Sequence, residues 1–520
     1  MWATASCRPT TTGPPTKSRP WPTSSTCMTP RPSWPRAATR GPQPGANFFR
    51  NAVMPRPARR FFAYILPFLT FFPSPAMLPR ATPFLIGLLG LTAVAAQAQQ
   101  LNTAKLDSLV NALDANHKMM GSLALSKGGQ VVYRRAFGEA RLAPSAPATP
   151  DTRYRIGSLT KVFTGVMIFQ LIEEKKLALD TPLATFFPQV PGAAAITIDQ
   201  LLSHRSGLHN FTNDPAFPAF MTKPHTQAEM VALIAAPKPD FAPGTKAAYS
   251  NSNFVLLGYI VEKLAKMPYP QALQKRVLAR AGLKNTFYGG KINPQAQEAL
   301  SYEWGSGGWK LAPETDMSVP GGAGALVSTP TDLTRFLEAL FGGKLLAASS
   351  LATMQTIRDG YGRALFGLPF GAKQGYGHTG GIDGFNAVAG YFPADKLAVA
   401  LCSNAAAYAF NDVLIGVLSI YFGQPYKIPD FTPSTYAPPV ADLDRYAGTY
   451  ASPGFPLKIT VTREGPGLQA QATGQGAFEL APVGSGVFKF DPAGIRMEFD
   501  AAKPTFTLTQ GGGTYLFTKE

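Results

Sequence analysis

The sequence has little cysteine, with three in 520 residues. Cys7 and Cys27 lie in an unusual amino-terminal stretch, which leaves Cys402 alone in the rest of the chain. A single cysteine cannot form an internal disulfide, so we expect the fold to depend on its hydrophobic core. Cys402 lies in the apolar run AVALCSN, where a free cysteine is more often a small buried residue than a nucleophile.

Acidic residues are absent from the start of the chain, and the first one is Asp107. Residues 1–98 carry 11 Lys or Arg, so the other 37 basic residues stand against 31 acidic ones. The net charge of +17 therefore falls to +6 over residues 99–520. No basic run with interleaved aromatics is present, which argues against nucleic acid as a partner.

Residues 1–76 combine the lack of acids with 15 of the 48 prolines. Such a composition cannot bury enough apolar surface to offset chain entropy. We therefore expect this extension to be disordered, or to lie upstream of the true start of the protein.

A long membrane-spanning run is also missing. The run FLIGLLGLTAVAA has thirteen residues, too few to cross a bilayer, and FFAYILPFLTFF at 61–72 is broken by Pro67. The first run follows the basic stretch MLPR and precedes Ala96-Gln97-Ala98, the pattern of a signal peptide with its cleavage site. Residues 77–98 are thus predicted to export the protein to the periplasm or the medium, with no stable membrane span in the mature chain.

Two hydrolase signatures are absent as well. The chain contains no Gly-x-Ser-x-Gly elbow, which argues against an α/β-hydrolase lipase. Its five histidines, at 117, 204, 209, 225 and 378, show no His-x-x-x-His or His-Glu pattern, which disfavours a metal hydrolase. We expect neither metal nor cofactor, and for His204 and His209 a capping role.

What is present from residue 99 onward is a regular alternation of elements. Leu106, Leu109, Val110 and Leu113 have helical spacing within residues 104–116. The strand-like runs GSLALSK and QVVYRRAFG, separated by Gly-Gly, predict a hairpin. Helical patterns then alternate with short strands until the strands FNAVAGYF and LAVALCSN and a last helix before about 422. Strands at both chain ends predict an α+β domain with helices packed on an antiparallel sheet.

A break follows this domain, predicted to cover 99–423. Residues 424–440 contain five prolines and are predicted to be a linker. Residues 441–520 contain short β-rich runs punctuated by Gly and Pro, which predict a small antiparallel β-barrel.

The segment YRIGSLTKVFTGVMIFQLIEEKK, residues 154–176, carries the strongest chemical signal. Its apolar residues lie on nearly every face of a helix, so the helix should be buried. Lys161 lies one turn after Ser158, and the two side chains share a face. A buried lysine has a lowered pKa and can accept a serine proton. A snorkelling lysine beside a capping serine is the alternative for this motif taken alone.

Two further groups are candidates for the same site. Tyr249 precedes a helical pattern, and its phenol could relay a proton if nearby cations lower its pKa, while Asn251 offers an amide to hold substrate or lysine. His378-Thr379-Gly380-Gly381 leads into an alternating strand, a suitable edge for an extended substrate. His378 would add positive or hydrogen-bonding character near the substrate. Each group alone could be a turn or a cap.

Ser-x-x-Lys, Tyr-x-Asn and His-Thr-Gly in this order resemble the serine β-lactamase and D-alanyl-D-alanine carboxypeptidase superfamily, and within it the class C β-lactamase-related branch of S12-type peptidases and esterases. LLSHRSGL at 201–208, GAGALVSTPTDLTRFLEAL at 322–340 and YAGTY at 446–450 are similar to that branch. The resemblance implies an added all-helical subdomain and a small carboxy-terminal barrel.

The resemblance also implies roles. Ser158 would be the nucleophile, Lys161 its activator and Tyr249 the general acid/base, with Asn251, His378, Thr379 and Gly380 binding substrate. The backbone N–H groups of Ser158 and Gly381 would form the oxyanion hole.

The predicted function is therefore a serine hydrolase that forms an acyl-enzyme from a D-amino-acid peptide, a β-lactam or a small ester. His378 stands where class C β-lactamases usually have lysine, which favours a peptidase or esterase. The alternative is a catalytically silent protein that binds cell-wall fragments in the same cleft. The sequence leaves the substrate and the oligomeric state open.

Overall fold

The structure, a computed structural model, describes residues 101–305 and 308–520. The predicted disordered extension 1–76 and the predicted signal peptide 77–98 lie outside the described residues. Within the described part, no helix combines the length and apolarity needed to cross a membrane.

Thirteen α-helical segments are found in the described residues, several of them a single turn. They are α1 Thr103–Ala115, α2 Thr160–Glu173, α3 Ile198–Leu202, α4 Phe217–Phe220, α5 Gln227–Ala235, α6 Asn251–Ala265, α7 Tyr269–Leu273, α8 Ala279–Ala281, α9 Gly321–Gly324, α10 Pro330–Phe341, α11 Ala348–Met354, α12 Phe410–Tyr421 and α13 Val440–Tyr446.

Twenty-one strands accompany them in the same described residues. They are β1 Met119–Lys127, β2 Gln130–Phe137, β3 Glu139–Leu142, β4 Ser145–Pro147, β5 Tyr154–Arg155, β6 Phe287–Tyr288, β7 Tyr302–Gly305, β8 Gly308–Leu311, β9 Leu326–Ser328, β10 Phe366–Gly367, β11 Tyr376–Ile382, β12 Phe385–Phe392, β13 Leu397–Ala406, β14 Gly448–Ser452, β15 Phe455–Glu464, β16 Gly467–Ala472, β17 Phe478–Gly484, β18 Val487–Phe490, β19 Ile495–Phe499, β20 Thr505–Gln510 and β21 Gly513–Lys519.

A six-stranded antiparallel sheet forms the frame, in the order β10-β11-β12-β13-β1-β2. Strands from both ends of the domain meet at the pairing of β1 with β13, as the sequence predicts. The β1–β2 hairpin turns at Gly128 and Gly129, both with positive φ (58° and 89°), a conformation that glycine adopts without strain. The predicted helix and hairpin near the start of the domain are thereby confirmed.

The two faces of this sheet carry different helices because residue size alternates along β13. Leu397, Val399 and Leu401 belong to the core that includes α1 and α12. Ala398, Ala400 and Cys402 point to the opposite face and a second core, where α10 packs against β13. Cys402 is fully buried, which confirms the prediction that it is a small core residue.

The second core continues into the helical part between β5 and α11. It centres on α2, whose residues from Thr160 to Leu171 are all buried, and on α6, which packs against α2. The ring of Phe163 stacks on Phe336 of α10 at 3.7 Å between centroids, which joins the helical part to the sheet. The predicted α+β architecture is confirmed.

The carboxy-terminal strands β14–β21 close into an eight-stranded barrel. Its interior is filled mainly by buried aromatic and aliphatic side chains, among them Tyr450, Phe488, Phe506 and Phe517. Closure removes the exposed strand edges that an open sheet of this size would have. The predicted barrel is confirmed, with β14 as a strand that the runs of the sequence had not identified.

Between the two parts, residues 424–439 contain neither helix nor strand. The barrel nevertheless contacts the α+β domain through the turn that follows β18. The backbone N–H of Ala409 donates to the carbonyl of Asp491 at 3.0 Å, and the Asp491 carboxylate lies 3.4 Å from Lys118 Nζ. This turn thus lies against the start of α12.

Candidate active site

Ser158 lies at the point where a strand passes into the buried helix. The 3₁₀ turn Gly157–Leu159 follows β5 and runs directly into α2. Gly157 has φ +49°, a conformation that side-chain-bearing residues rarely adopt. Ser158 is partly exposed and lies at the amino-terminal end of α2, where the helix dipole favours negative charge.

Lys161 is the most deeply buried charged group near this serine, with no exposed surface. Its Nζ lies 2.9 Å from Ser158 Oγ, 2.7 Å from Asn251 Oδ1 and 2.8 Å from the carbonyl oxygen of Ala323. Burial holds the pKa of the Lys161 amine well below its usual value. The side chain does not snorkel to solvent.

Tyr249 reaches the same serine from the loop before α6. Its hydroxyl lies 2.7 Å from Ser158 Oγ. Burial raises the pKa of the Tyr249 phenol, and the hydrogen bond to Ser158 opposes this only in part. The sequence made proton relay by Tyr249 conditional on cations that lower this pKa, whereas desolvation raises it. The phenol is therefore protonated at neutral pH.

Asn251 is the first residue of α6 and is held on both sides. Its backbone N–H donates to Asn210 Oδ1 at 2.9 Å, and its Nδ2 donates to Thr212 Oγ1 at 3.0 Å. These bonds leave Oδ1 directed at Lys161. Asn251 thus contacts the lysine, one of the two partners the sequence allowed for it.

Strand β11 forms one wall of the cleft. Beyond Tyr376 and Gly377 it is paired on one side by β12, while on the other side β10 pairs only with those two residues. A Cβ on Gly157 would lie 2.8 Å from the carbonyl oxygen and 2.9 Å from the nitrogen of Gly381. The backbones of the serine turn and of β11 therefore approach each other at glycines. Gly381 is exposed.

Two of the remaining residues of the third motif differ in surroundings. Thr379 is partly exposed on β11, whereas His378 is 1% exposed and its ring stacks on Phe366 at 4.1 Å between centroids. Burial lowers the pKa of His378 to about 3. His378 is thus uncharged at neutral pH, unlike the positive group that the sequence allowed.

Two features near the site were not anticipated as such. The buried guanidinium of Arg155 lies 2.9 Å from Asp383, whose carboxylate also accepts from Thr315. This ion pair connects the strand before Ser158 to the turn after β11.

His204, expected to have a capping role, packs its ring against Tyr249, with 4.5 Å between the centroids. His209 pairs with Asp240 at 2.9 Å instead. Arg155 lies in DTRYRIGSL and His204 in LLSHRSGL, and neither segment is apolar enough to indicate that the residue is buried.

Known proteins are similar to this chain in sequence, and solved structures are similar to it in fold. The family model described as Beta-lactamase matches residues 106–415, more than half of the chain. Penicillin-binding protein 4* of Bacillus subtilis (strain 168) is 26% identical over 439 residues, which cover 78% of this chain and 96% of that protein. D-alanyl-D-alanine-carboxypeptidase/endopeptidase AmpH of Escherichia coli (strain K12) is 29% identical over 268 residues, 48% of this chain and 66% of that protein.

A solved structure is similar to a large part of this chain. The D-amino acid amidase from Ochrobactrum anthropi SV3 is 31% identical with a TM-score of 0.52, and the likeness covers 61% of this chain and 97% of that one.

Proposed function

Because this chain belongs to the beta-lactamase family, whose members are serine hydrolases, we propose that it hydrolyses D-configured amides through an ester formed on Ser158. One observation carries the proposal. The Ser158 hydroxyl lies within hydrogen-bond distance of an amine desolvated by burial and of a protonated phenol.

Lys161 acts as the base in this proposal. Asn251 Oδ1 and the Ala323 carbonyl can only accept, so each takes one N–H of the lysine amine. A neutral amine then has one position left, its lone pair, and Ser158 Oγ lies there at 2.9 Å. The desolvated amine can therefore take the serine proton as Oγ attacks a carbonyl carbon.

Tyr249 acts as the proton donor. Its raised pKa keeps the phenol protonated, so it donates toward Ser158 Oγ in the resting site. When the C–N bond of the tetrahedral intermediate breaks, the phenol gives its proton to the leaving nitrogen and regains one from Lys161. In the second step the same groups act in reverse. Water gives up a proton to them as it attacks the ester carbon, and Ser158 Oγ leaves with a proton. One amide and one water thus become an acid and an amine.

The charge that develops on the carbonyl oxygen needs fixed donors. The backbone N–H groups of Ser158 and Gly381 are suited to this, because Gly157 and Gly380 let the two backbone segments come together. The unpaired side of β11 offers an edge to an extended substrate.

The substrate class follows from the relatives. AmpH is a D-alanyl-D-alanine carboxypeptidase/endopeptidase and the similar solved enzyme is a D-amino acid amidase. Both names describe amide bonds next to D-residues, so D-amino acid amides and peptides are the proposed substrates. Export through residues 77–98 stays a prediction, tested by the amino-terminal sequence of secreted protein.

The test combines labelling with turnover. A fluorophosphonate and a fluorescent penicillin should each label the peptide that contains Ser158 and fail on Ser158→Ala, with Ser108→Ala on α1 as the matched control. D-phenylalanine amide should be hydrolysed at least about tenfold faster than its L enantiomer, a discrimination of about 1.4 kcal/mol.

Each other outcome has a meaning. Absence of both labelling and turnover overturns the proposal in favour of the silent binding protein. Labelling with turnover of only a short nitrophenyl ester or a chromogenic cephalosporin overturns the substrate class and retains the ester on Ser158.

A further inference from the structure

His204 is bonded to both residues that flank Tyr249. The backbone N–H of Ala248 donates to the His204 carbonyl at 2.9 Å. The backbone N–H of Ser250 donates to His204 Nδ1 at 3.2 Å. His204, which lies 46 positions before Ser250 in the chain, thus holds the backbone on either side of Tyr249, the residue whose phenol reaches Ser158.

The ring of His204 also contacts the ring of Tyr249. Their centroids are 4.5 Å apart at 32°, and His204 is only 2% exposed. Its Nε2 has no hydrogen-bond partner among the described residues. The side chain's hydrogen bonding is therefore directed at the loop that carries Tyr249.

The backbone of His204 is adapted to this position. Its φ is +56°, in the left-handed region where histidine, asparagine and aspartate are enriched among residues other than glycine. The residue thereby directs both its carbonyl and its ring to the same short loop.

The bond to Ser250 requires an unprotonated Nδ1, since a protonated ring nitrogen cannot accept. Burial is the main cause that lowers the pKa of His204 well below its usual value. The uncharged state that the geometry needs is therefore the one that the surroundings favour.

We propose that His204 is a positioning residue for the reaction: through Nδ1 and its ring it sets the phenol of Tyr249 against the oxygen of Ser158. This inference rests on the proposed function of Tyr249. His204 does not hydrogen-bond Ser158, so it acts through the tyrosine. A misplacement of about 1 Å in a catalytic group can cost about 100-fold in rate.

Two substitutions separate the roles of the acceptor and of the ring. His204→Ala removes both, whereas His204→Asn keeps an acceptor close to the place of Nδ1 and tolerates the positive φ. His209→Gln is the matched control, a histidine in the same loop whose side chain pairs with Asp240. The rate of acylation by a fluorescent penicillin and kcat and KM for the amide are measured, with folding checked by circular dichroism.

We expect His204→Ala to lower kcat about 10- to 100-fold with KM changed less than about threefold, and His204→Asn to recover at least about half of that loss on a logarithmic scale. His209→Gln should retain the wild-type kcat. In a Tyr249→Phe background, His204→Ala should have almost no further effect, because residues that act through one another are not additive.

The outcomes distinguish the role of His204 from the proposed function of the protein. If Tyr249→Phe loses activity but folded His204→Ala does not, or if the two losses simply add, the role of His204 is refuted and the proposed function stands. If Tyr249→Phe retains full acylation, the proposed role of Tyr249 is refuted as well. Should His204→Ala fail to fold, the comparison of His204→Asn in the two backgrounds decides.

Discussion

Replacement of Lys161 by methionine tests whether the amine is held neutral. Methionine has a similar length and no charge, so the substitution removes the base and the titrating group together. Without a general base, acylation of Ser158 should fall by about 10²- to 10⁴-fold. The effect on stability is more informative, because it depends on pH in a direction that the structure fixes.

The direction of this pH dependence follows from the number of protons that the folded and the unfolded protein bind. Burial lowers the pKa of Lys161 in the folded protein from 10.5, so below 10.5 and above the folded pKa the unfolded chain binds one more proton. Stability then rises with pH. The wild type should gain free energy of unfolding relative to Lys161→Met by up to about 1.4 kcal/mol per pH unit in that window, the value of one proton.

The assay is urea unfolding of the full chain at pH 7, 8, 9 and 10. Circular dichroism follows unfolding, because fluorescence would combine Trp304 and Trp309 with Trp2, Trp21 and Trp34 of the amino-terminal stretch. Lys263→Met, at an exposed lysine of α6, is the control for loss of a surface lysine. A difference between the wild type and Lys161→Met that stays flat from pH 7 to 10 would refute the reasoning, because the buried amine would then be charged in the folded protein.

Three further predictions concern the surroundings of the site. Gly157→Ala should lower kcat by about 100-fold or more by forcing Gly381 away, since φ is positive and the new Cβ would lie 2.8 Å from the Gly381 carbonyl; unchanged kcat would contradict the oxyanion hole. Asp383→Asn should cost about 1.5–3 kcal/mol of stability, because it removes one charge-assisted bond of the buried Arg155 and leaves Glu314 as its remaining acidic partner, and a loss below about 1 kcal/mol in urea unfolding would show the bond to be dispensable. Burial raises the pKa of Asp412 to about 6, so the wild type loses stability as the pH rises from about 4 through 6. Asp412→Asn should therefore have the higher Tm at pH 8 but not at pH 4. An equal Tm of the two proteins at both pH values would exclude this cost of ionising a buried carboxylate.

Much of the fold was predictable because it is written in local patterns. The helical spacing from Leu106 to Leu113 and the Gly128-Gly129 turn each depend on a few neighbouring residues. Strand β14 was not identified because GTYAS contains a single large apolar residue, Tyr450, and it becomes a strand by pairing with β15 and β21.

The sequence by itself determined that Ser158 and Lys161 lie together. Ser158 and Lys161 are one turn apart on a helix that is apolar all round, so their common face and the burial of the amine follow from the period of a helix. It also predicted which other motifs would accompany them, through their order along the chain.

Only the tertiary structure decided how these groups act. Tyr249 is 91 residues from Ser158, and its raised pKa depends on side chains brought around it by the fold. His204 holds the tyrosine loop through bonds that no local pattern encodes, and Arg155 meets Asp383 across 228 residues. Burial sets the proton affinity of these side chains and long-range contacts set their position. Burial and long-range contacts arise only when distant segments of the chain pack together.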